Sequence, residues 1–230
     1  MAPELLSADE VIEAWLTQHD EQYGQHPVDI VRESMQINDT MLQLLADGKP
    51  VTAQQVAETL DIPVDEIDEA YVMLQKGGFE FDESNRLVGA ELTFNPTRHR
   101  FILDEQNLYA WCALDTLFLP GLLGRKAQIR STCPQTGQTI SLSVRPDGVD
   151  AVVPASTVLS IAVPGVSCAR GEQRNTGPTS ETCTQMNFFA SRPAAEHWIR
   201  DHPGVAILTV EEAWRLAYEN WIKRRESASG

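Results

Sequence analysis

The run Leu108-Tyr109-Ala110-Trp111-Cys112-Ala113-Leu114-Asp115-Thr116-Leu117-Phe118, closed by Pro120 and Gly121, is apolar enough to demand burial, yet it carries a thiol and a carboxyl. Its composition predicts a short helix in which Cys112 and Asp115, at i and i+3, share one face. An acid is costly to bury as an anion, so Asp115 must find a partner or keep its proton. Any fold this chain adopts has to take the segment inside and leave room for chemistry beside it.

The 230-residue chain can hold one large domain or two small ones. A formal net charge of -15 argues against nucleic acid or an anionic membrane as partner, because phosphate binding needs a basic surface. Met1 to Glu10 has no basic region followed by an apolar run, so no secretory signal is read there. No stretch approaches the ~18 consecutive apolar residues of a membrane span. The expectation is a soluble, cytoplasmic protein with no membrane partner. The cysteines, Cys112, Cys133, Cys168 and Cys183, include no C-x-x-C pair and are too sparse for a disulfide scaffold, so they read as thiols. His19, His26, His99, His197 and His202 have no zinc-binding spacing.

Taken in order, Ser7 to Glu10 is a capping box that opens a helix with Val11, Ile12, Trp15 and Leu16 on its apolar stripe. A second helix is predicted over Val28 to Ala46. Thr52 to Gln55 caps a short helix through Leu60, and Val64 to Lys76 forms another that ends at Gly77-Gly78. Strands follow at Phe79 to Asp82 and Leu87 to Phe94. Helix, turn, helix and two-stranded ribbon is the order of a winged helix-turn-helix. DNA binding is disfavoured even so. The helix that would enter the groove carries Asp65, Glu66, Asp68 and Glu69 against Lys76 alone, and has no arginine to read guanine.

From Arg98 the pattern changes to short strands at 98–103, 127–131, 139–144, 149–153 and 157–163, which fit an antiparallel sheet. Pro164 to Thr182 reads as an exposed loop that leads into a strand from Cys183 to Phe189. A helix over 194–200, a strand over 205–210 and a last helix bearing Trp214, Tyr218 and Trp221 complete the chain. Arg224 to Gly230 reads as a frayed tail. The fold class is α+β: a helical extension at 1–27, a winged helix-turn-helix-like part at 28–97, and a mixed, mainly antiparallel sheet domain with flanking helices at 98–230.

The run at 108–117 closely resembles the signature of the organomercurial (alkylmercury) lyases. Phe118 to Arg125, Ser131 to Gly137, and Phe188-Phe189-Ala190-Ser191 with a cysteine upstream are similar to further segments of that family. The likeness runs from about Val28 to the final helix and includes the family's winged-helix-like region. It implies that Cys112 and Cys183 hold mercury, that Asp115 is the acid, and that Cys133 is structural. The implied reaction is protonolysis of the carbon–mercury bond, giving a hydrocarbon and Hg(II). The resemblance implies no organic cofactor, with low-molecular-weight thiols or a mercuric reductase taking the metal. The chain departs from the pattern in three places: Thr184 stands where some relatives have another cysteine, Cys168 lies in a longer loop, and the first twenty-odd residues form an extension.

The residue types suit that chemistry on their own terms, since a soft metal prefers thiolate to oxygen or imidazole. An aspartic acid at its ordinary pKa is protonated only about one part in a thousand at pH 7. Burial and neighbouring thiolates both raise that fraction. Asp115 can therefore act as a standing acid, or take a proton from a thiol and pass it on. Without the resemblance, Cys112 and Cys183 read as small buried hydrophobes, and Asp115 as a helix residue bonded to backbone or arginine. Cys168 reads as a loop thiol without a catalytic role. The alternative function is a cysteine-based mercury- or metal-binding protein, or a metal-sensing winged-helix protein, without lyase activity.

Overall fold

The structure, a computed structural model, describes residues 6–165 and 177–228. It is mixed α+β, with helices packed against two antiparallel sheets. Four helices come first: α1 (Ala8–Tyr23), α2 (Val28–Ala46), α3 (Ala53–Leu60) and α4 (Val64–Lys76). Both predicted capping boxes are present, Ser7 with Glu10 and Thr52 with Gln55. Each satisfies helix N–H groups that would otherwise lack partners.

The first sheet has the order β1-β2-β3-β5-β4-β6-β7-β8. Its strands are β1 (Glu80–Phe81), β2 (Leu87–Ala90), β3 (Leu92–Thr93), β4 (His99–Leu103), β5 (Gln106–Ala110), β6 (Ala127–Thr132), β7 (Thr139–Arg145) and β8 (Gly148–Val153). The strand predicted over Leu87 to Phe94 is broken at Glu91, whose φ of 51 lies in the left-handed region. There the chain reverses, so that Ala90 pairs with Leu92 and Leu92 in turn with Ala110. The second sheet, β10-β9-β11, joins β9 (Val158–Ala162) to β10 (Phe188–Phe189) and β11 (Val205–Thr209).

Three local expectations are corrected. The segment 108–118 is not one helix. Leu108 to Ala110 lie in β5, paired on one side with β4 and on the other with β3, and helix α5 runs over Asp115–Leu123. Strand pairing wins for the first residues, while Asp115 opens the helix, where a carboxylate suits the positive end of the dipole. Cys183 is not on a strand but in a helical turn, α6 (Glu181–Gln185), capped by the Ser180 side chain. The tail is not frayed as far as Ala228. After α7 (Arg192–Ile199) and α8 (Val210–Ala217), a π-helical turn at Tyr218–Ile222 leads into α9 (Lys223–Ala228). Arg224 there bonds Asp20 at 2.6 Å, and Arg225 Nε donates to Asp39 at 2.7 Å.

Helix α5 is buried along nearly its whole length. Phe118 stacks on Trp221 with centroids 4.9 Å apart and planes at 11°, while Trp214 stacks on Tyr218 instead. The π turn that holds Tyr218 and Trp221 interrupts the last predicted helix, and the three aromatics pack in two separate stacks. Each fully buried Leu or Phe around α5 contributes about 1.5–3 kcal/mol, enough to hold an ionisable group in the core. No helix among the described residues is long and apolar enough to cross a membrane.

Candidate active site

Cys112 and Asp115 meet at the bend between β5 and α5. The backbone N–H of Cys112 donates to Asp115 Oδ2 at 2.7 Å. The two groups share a space as predicted, but through this bend and not through helical spacing. Ala113 N–H donates to the Met186 carbonyl at 3.1 Å, and Cys112 Sγ lies 3.8 Å from Met186 Sδ. These contacts bring in the segment that carries Cys183. That segment is itself anchored to β9: Ser160 Oγ donates to the Gln185 carbonyl at 2.6 Å, and Asn187 N–H donates to Ser160 Oγ at 3.0 Å. Ser180 Oγ accepts the Cys183 N–H at 3.1 Å. The outcome is a three-point cluster in which one ligand atom each from Cys112, Asp115 and Cys183 lies within 4.8 Å of the others.

Cys112 and Asp115 are 2% and 6% exposed, whereas Cys183 is only partly buried. Burial pushes the Asp115 carboxyl well above the ordinary range, and the negative charges of Cys183 and Glu91 push it the same way. The two thiols move apart. The Cys112 thiol donates to Cys183, which lowers Cys183, and burial together with that same bond raises Cys112. The inner sulfur therefore holds its proton more tightly than the outer one does. A partly exposed thiol of lowered pKa, a buried thiol beside it and a carboxyl of raised pKa can capture a soft cation and then deliver a proton next to it.

Cys133 is not part of this cluster. It is buried in the turn after β6, 1% exposed. Burial opposes its ionisation, but the Thr136 side chain and the backbone N–H groups of Ala190, Thr136 and Gln135 outweigh it and hold the thiol below its usual range. Cys168 lies outside the described residues. Two neighbours of the site escaped sequence reasoning. Met186 carries no signal beyond its place three residues after Cys183. Glu91 sits in what reads as an unbroken strand, and only the pairing of Leu92 with Ala110 brings it alongside Trp111.

Known proteins resemble the chain along most of its length. A family model, MerB: Alkylmercury lyase, matches residues 92–222. The alkylmercury lyase of Streptomyces lividans is 41% identical over 176 residues, which is 76% of this chain and 77% of that one. That of Bacillus cereus is 42% identical over 177 residues, 76% of each chain, and that of Pseudomonas putida 34% over 199 residues, 85% of each. A crystal structure of the mercury-bound form of MerB2 shares the fold with a TM-score of 0.72 at 24% identity, covering 94% of this chain and 99% of that one. The protein is thus an enzyme with an α+β lyase fold. The chain belongs to the alkylmercury lyase family.

Proposed function

We propose that the chain cleaves the carbon–mercury bond of organomercurials by protonolysis, with Cys183, Cys112 and Asp115 as the working groups. The observation that carries this reading is the meeting of two thiols and a carboxyl within 4.8 Å in a buried site. The Cys183 thiolate attacks the mercury of R–Hg–X, forming the S–Hg bond as X⁻ leaves. Cys112 then adds its sulfur to mercury and gives its proton to Asp115 as the Asp115 proton passes to carbon. The Hg–C bonding pair becomes the new C–H bond, so R–H departs, Asp115 ends as it began, and Hg(II) remains on two thiolates. These steps need no organic cofactor. Low-molecular-weight thiols or a mercuric reductase then take the metal, which makes the enzyme a detoxifying one acting in the cytoplasm.

We further read residues 28–97 as a winged-helix-like domain joined to a catalytic domain at 98–230, with 1–27 as a helical extension. The order α3, α4, β1, β2 supports this. Carboxylates on α4 make the module an unsuitable reader of DNA.

Incubation with methylmercury and excess thiol, with methane measured in the headspace, tests the enzyme reading. Methane from the wild type but not from Asp115→Asn is the expected result. Tight mercury binding with no methane from the wild type would leave only the binding-protein alternative.

A further inference from the structure

Met186 is 2% exposed and stands between the two segments that carry the thiols. Its N–H donates to the Cys183 carbonyl at 3.2 Å, and its own carbonyl accepts the N–H of Ala113, the neighbour of Cys112, at 3.1 Å. Both of its backbone groups are thus spent on holding it between Cys112 and Cys183.

The backbone bonds do not require a methionine, since any residue but proline supplies them. Methionine is also a common filler of irregular apolar gaps. Here the sulfur itself meets the reactive group: Met186 Sδ lies 3.8 Å from Cys112 Sγ, with the angles of an S–H···S hydrogen bond. A lone pair of the thioether therefore faces Cys112. Sulfurs about 2.3 Å from one metal ion, at the tetrahedral angle, stand about 3.8 Å apart. Cys112 and Met186 are already spaced as one edge of such a sulfur shell. Cys183 Sγ and an Asp115 oxygen, each within 4.8 Å of Cys112 Sγ, offer two further corners.

We propose that Met186 is a further mercury ligand, whose thioether sulfur closes on the metal held by Cys112 and Cys183 and retains Hg(II) once the organic group has left. This rests on the lyase reading given above, which names mercury as the cargo. Thioethers are among the soft donors that a soft metal selects, and methionine serves as a long, weak ligand beside stronger ones. The bond is dative. Sδ gives a lone pair, loses no proton and brings no charge, so the proton transfers between Cys112, Asp115 and carbon balance as before. What changes is the fate of the product, because a third sulfur must be displaced before a thiol can carry the metal away.

The test is X-ray absorption at the mercury edge on the selenomethionine-labelled full chain, loaded with substoichiometric mercuric chloride. The labels at Met35, Met41 and Met73 lie on α2 and α4, away from Cys112 in the chain. A selenium neighbour at bonding distance from mercury is expected in the labelled wild type and absent from labelled Met186→Leu. Leucine conserves the volume of the side chain, so the fold is kept. Competition with glutathione should show Hg(II) bound about tenfold more weakly by Met186→Leu, the lower end of the loss for a supporting contact at a metal site. Mercury without a selenium neighbour in the labelled wild type overturns the proposal, and so does a selenium neighbour that persists in Met186→Leu. Wild-type protein that releases no methane from methylmercury overturns the lyase reading instead, a result independent of the selenium signal.

Discussion

Asp115 Oδ2 accepts the backbone N–H of Cys112 at 2.7 Å, so one hydrogen bond joins the acid and the inner thiol across the bend between strand and helix. The bond favours the charged carboxylate, yet burial and two nearby negative charges outweigh it and leave the carboxyl well above its ordinary range. Its geometric role and its protonation can therefore be separated.

Asp115→Asn makes that separation, because the amide oxygen can still accept the Cys112 N–H while the transferable proton is gone. Hg(II) binding should survive, and methane turnover should fall by roughly 10²–10⁴, the range of a lost general acid. Methane release and mercury retention measured on the same preparation check both halves. Turnover above a tenth of wild type would mean that the proton comes from elsewhere.

The two thiols should differ in reactivity. Cys183 is lowered by the bond it accepts and is partly exposed, whereas Cys112 is raised and almost fully enclosed. Only thiolate is alkylated, so iodoacetamide at pH 7 should label Cys183 first by at least tenfold, as read by peptide mass spectrometry. Cys183→Ser should remove the fast phase, and Cys112→Ala should slow it, because alanine takes away the S–H donor that lowers the Cys183 thiol. Cys112→Ser and Cys183→Ser should each abolish methane production.

The parts of this site that local chemistry dictates are legible in the amino-acid sequence alone. Ser7 and Thr52 announce their helices because a capping box is a four-residue interaction. Cys112 and Asp115 declare themselves as an acid and a thiol in apolar surroundings. Leu108 to Ala110 do not declare a strand, since their apolar run suits either state and the decision belongs to partners near residues 92 and 100. The helical turn at Cys183 is likewise settled by its seat on Ser160. Glu91 is the extreme case: nothing around it in sequence separates it from a surface strand residue, and only long-range pairing sets its backbone beside Trp111.

The pH dependence of stability should have opposed limbs. Glu91 is raised to about 7, and Asp115 is raised as well, both chiefly by burial. The folded state then binds more protons than the unfolded one, so their contribution is fully present below the unfolded carboxyl range. It is lost as pH rises through the folded values. His99 is lowered to about 3 by burial. Here the unfolded state binds more protons, so stability is lost as pH falls from about 6.5 towards 3. Denaturant midpoints between pH 4 and 8 should show Glu91→Gln weakening the alkaline decline and His99→Gln weakening the acid one. A decline between pH 6 and 8 that is identical in wild type and Glu91→Gln would show that Glu91 is not buried as an acid.

Gly121 lets helix α5 approach the C-terminal π turn. A Cβ placed there would lie 2.3 Å from Ile222 Cδ1 and 2.7 Å from Cγ1, closer than such atoms can come. Because Cγ1 is near the root of that side chain, rotation alone does not relieve the overlap, and one of the two elements must shift. Gly121→Ala should gain up to about 1 kcal/mol in helix propensity. Overpacking should cost about 1–3 kcal/mol, leaving a net loss. Ile222→Ala alone should cost about 2–5 kcal/mol through the cavity it leaves. The double variant should be more stable than the sum of the two losses, with a coupling of about 0.5–3 kcal/mol in a denaturation cycle. Helix α5 also carries Asp115 at its first turn, and an error of about 1 Å in a catalytic group can cost about a hundredfold in rate. Gly121→Ala should therefore lose methane turnover beyond its loss of folded protein, and Ile222→Ala added to it should restore part of both. Turnover that simply tracks the folded fraction would show that the shift is absorbed by the C-terminal segment and never reaches the acid.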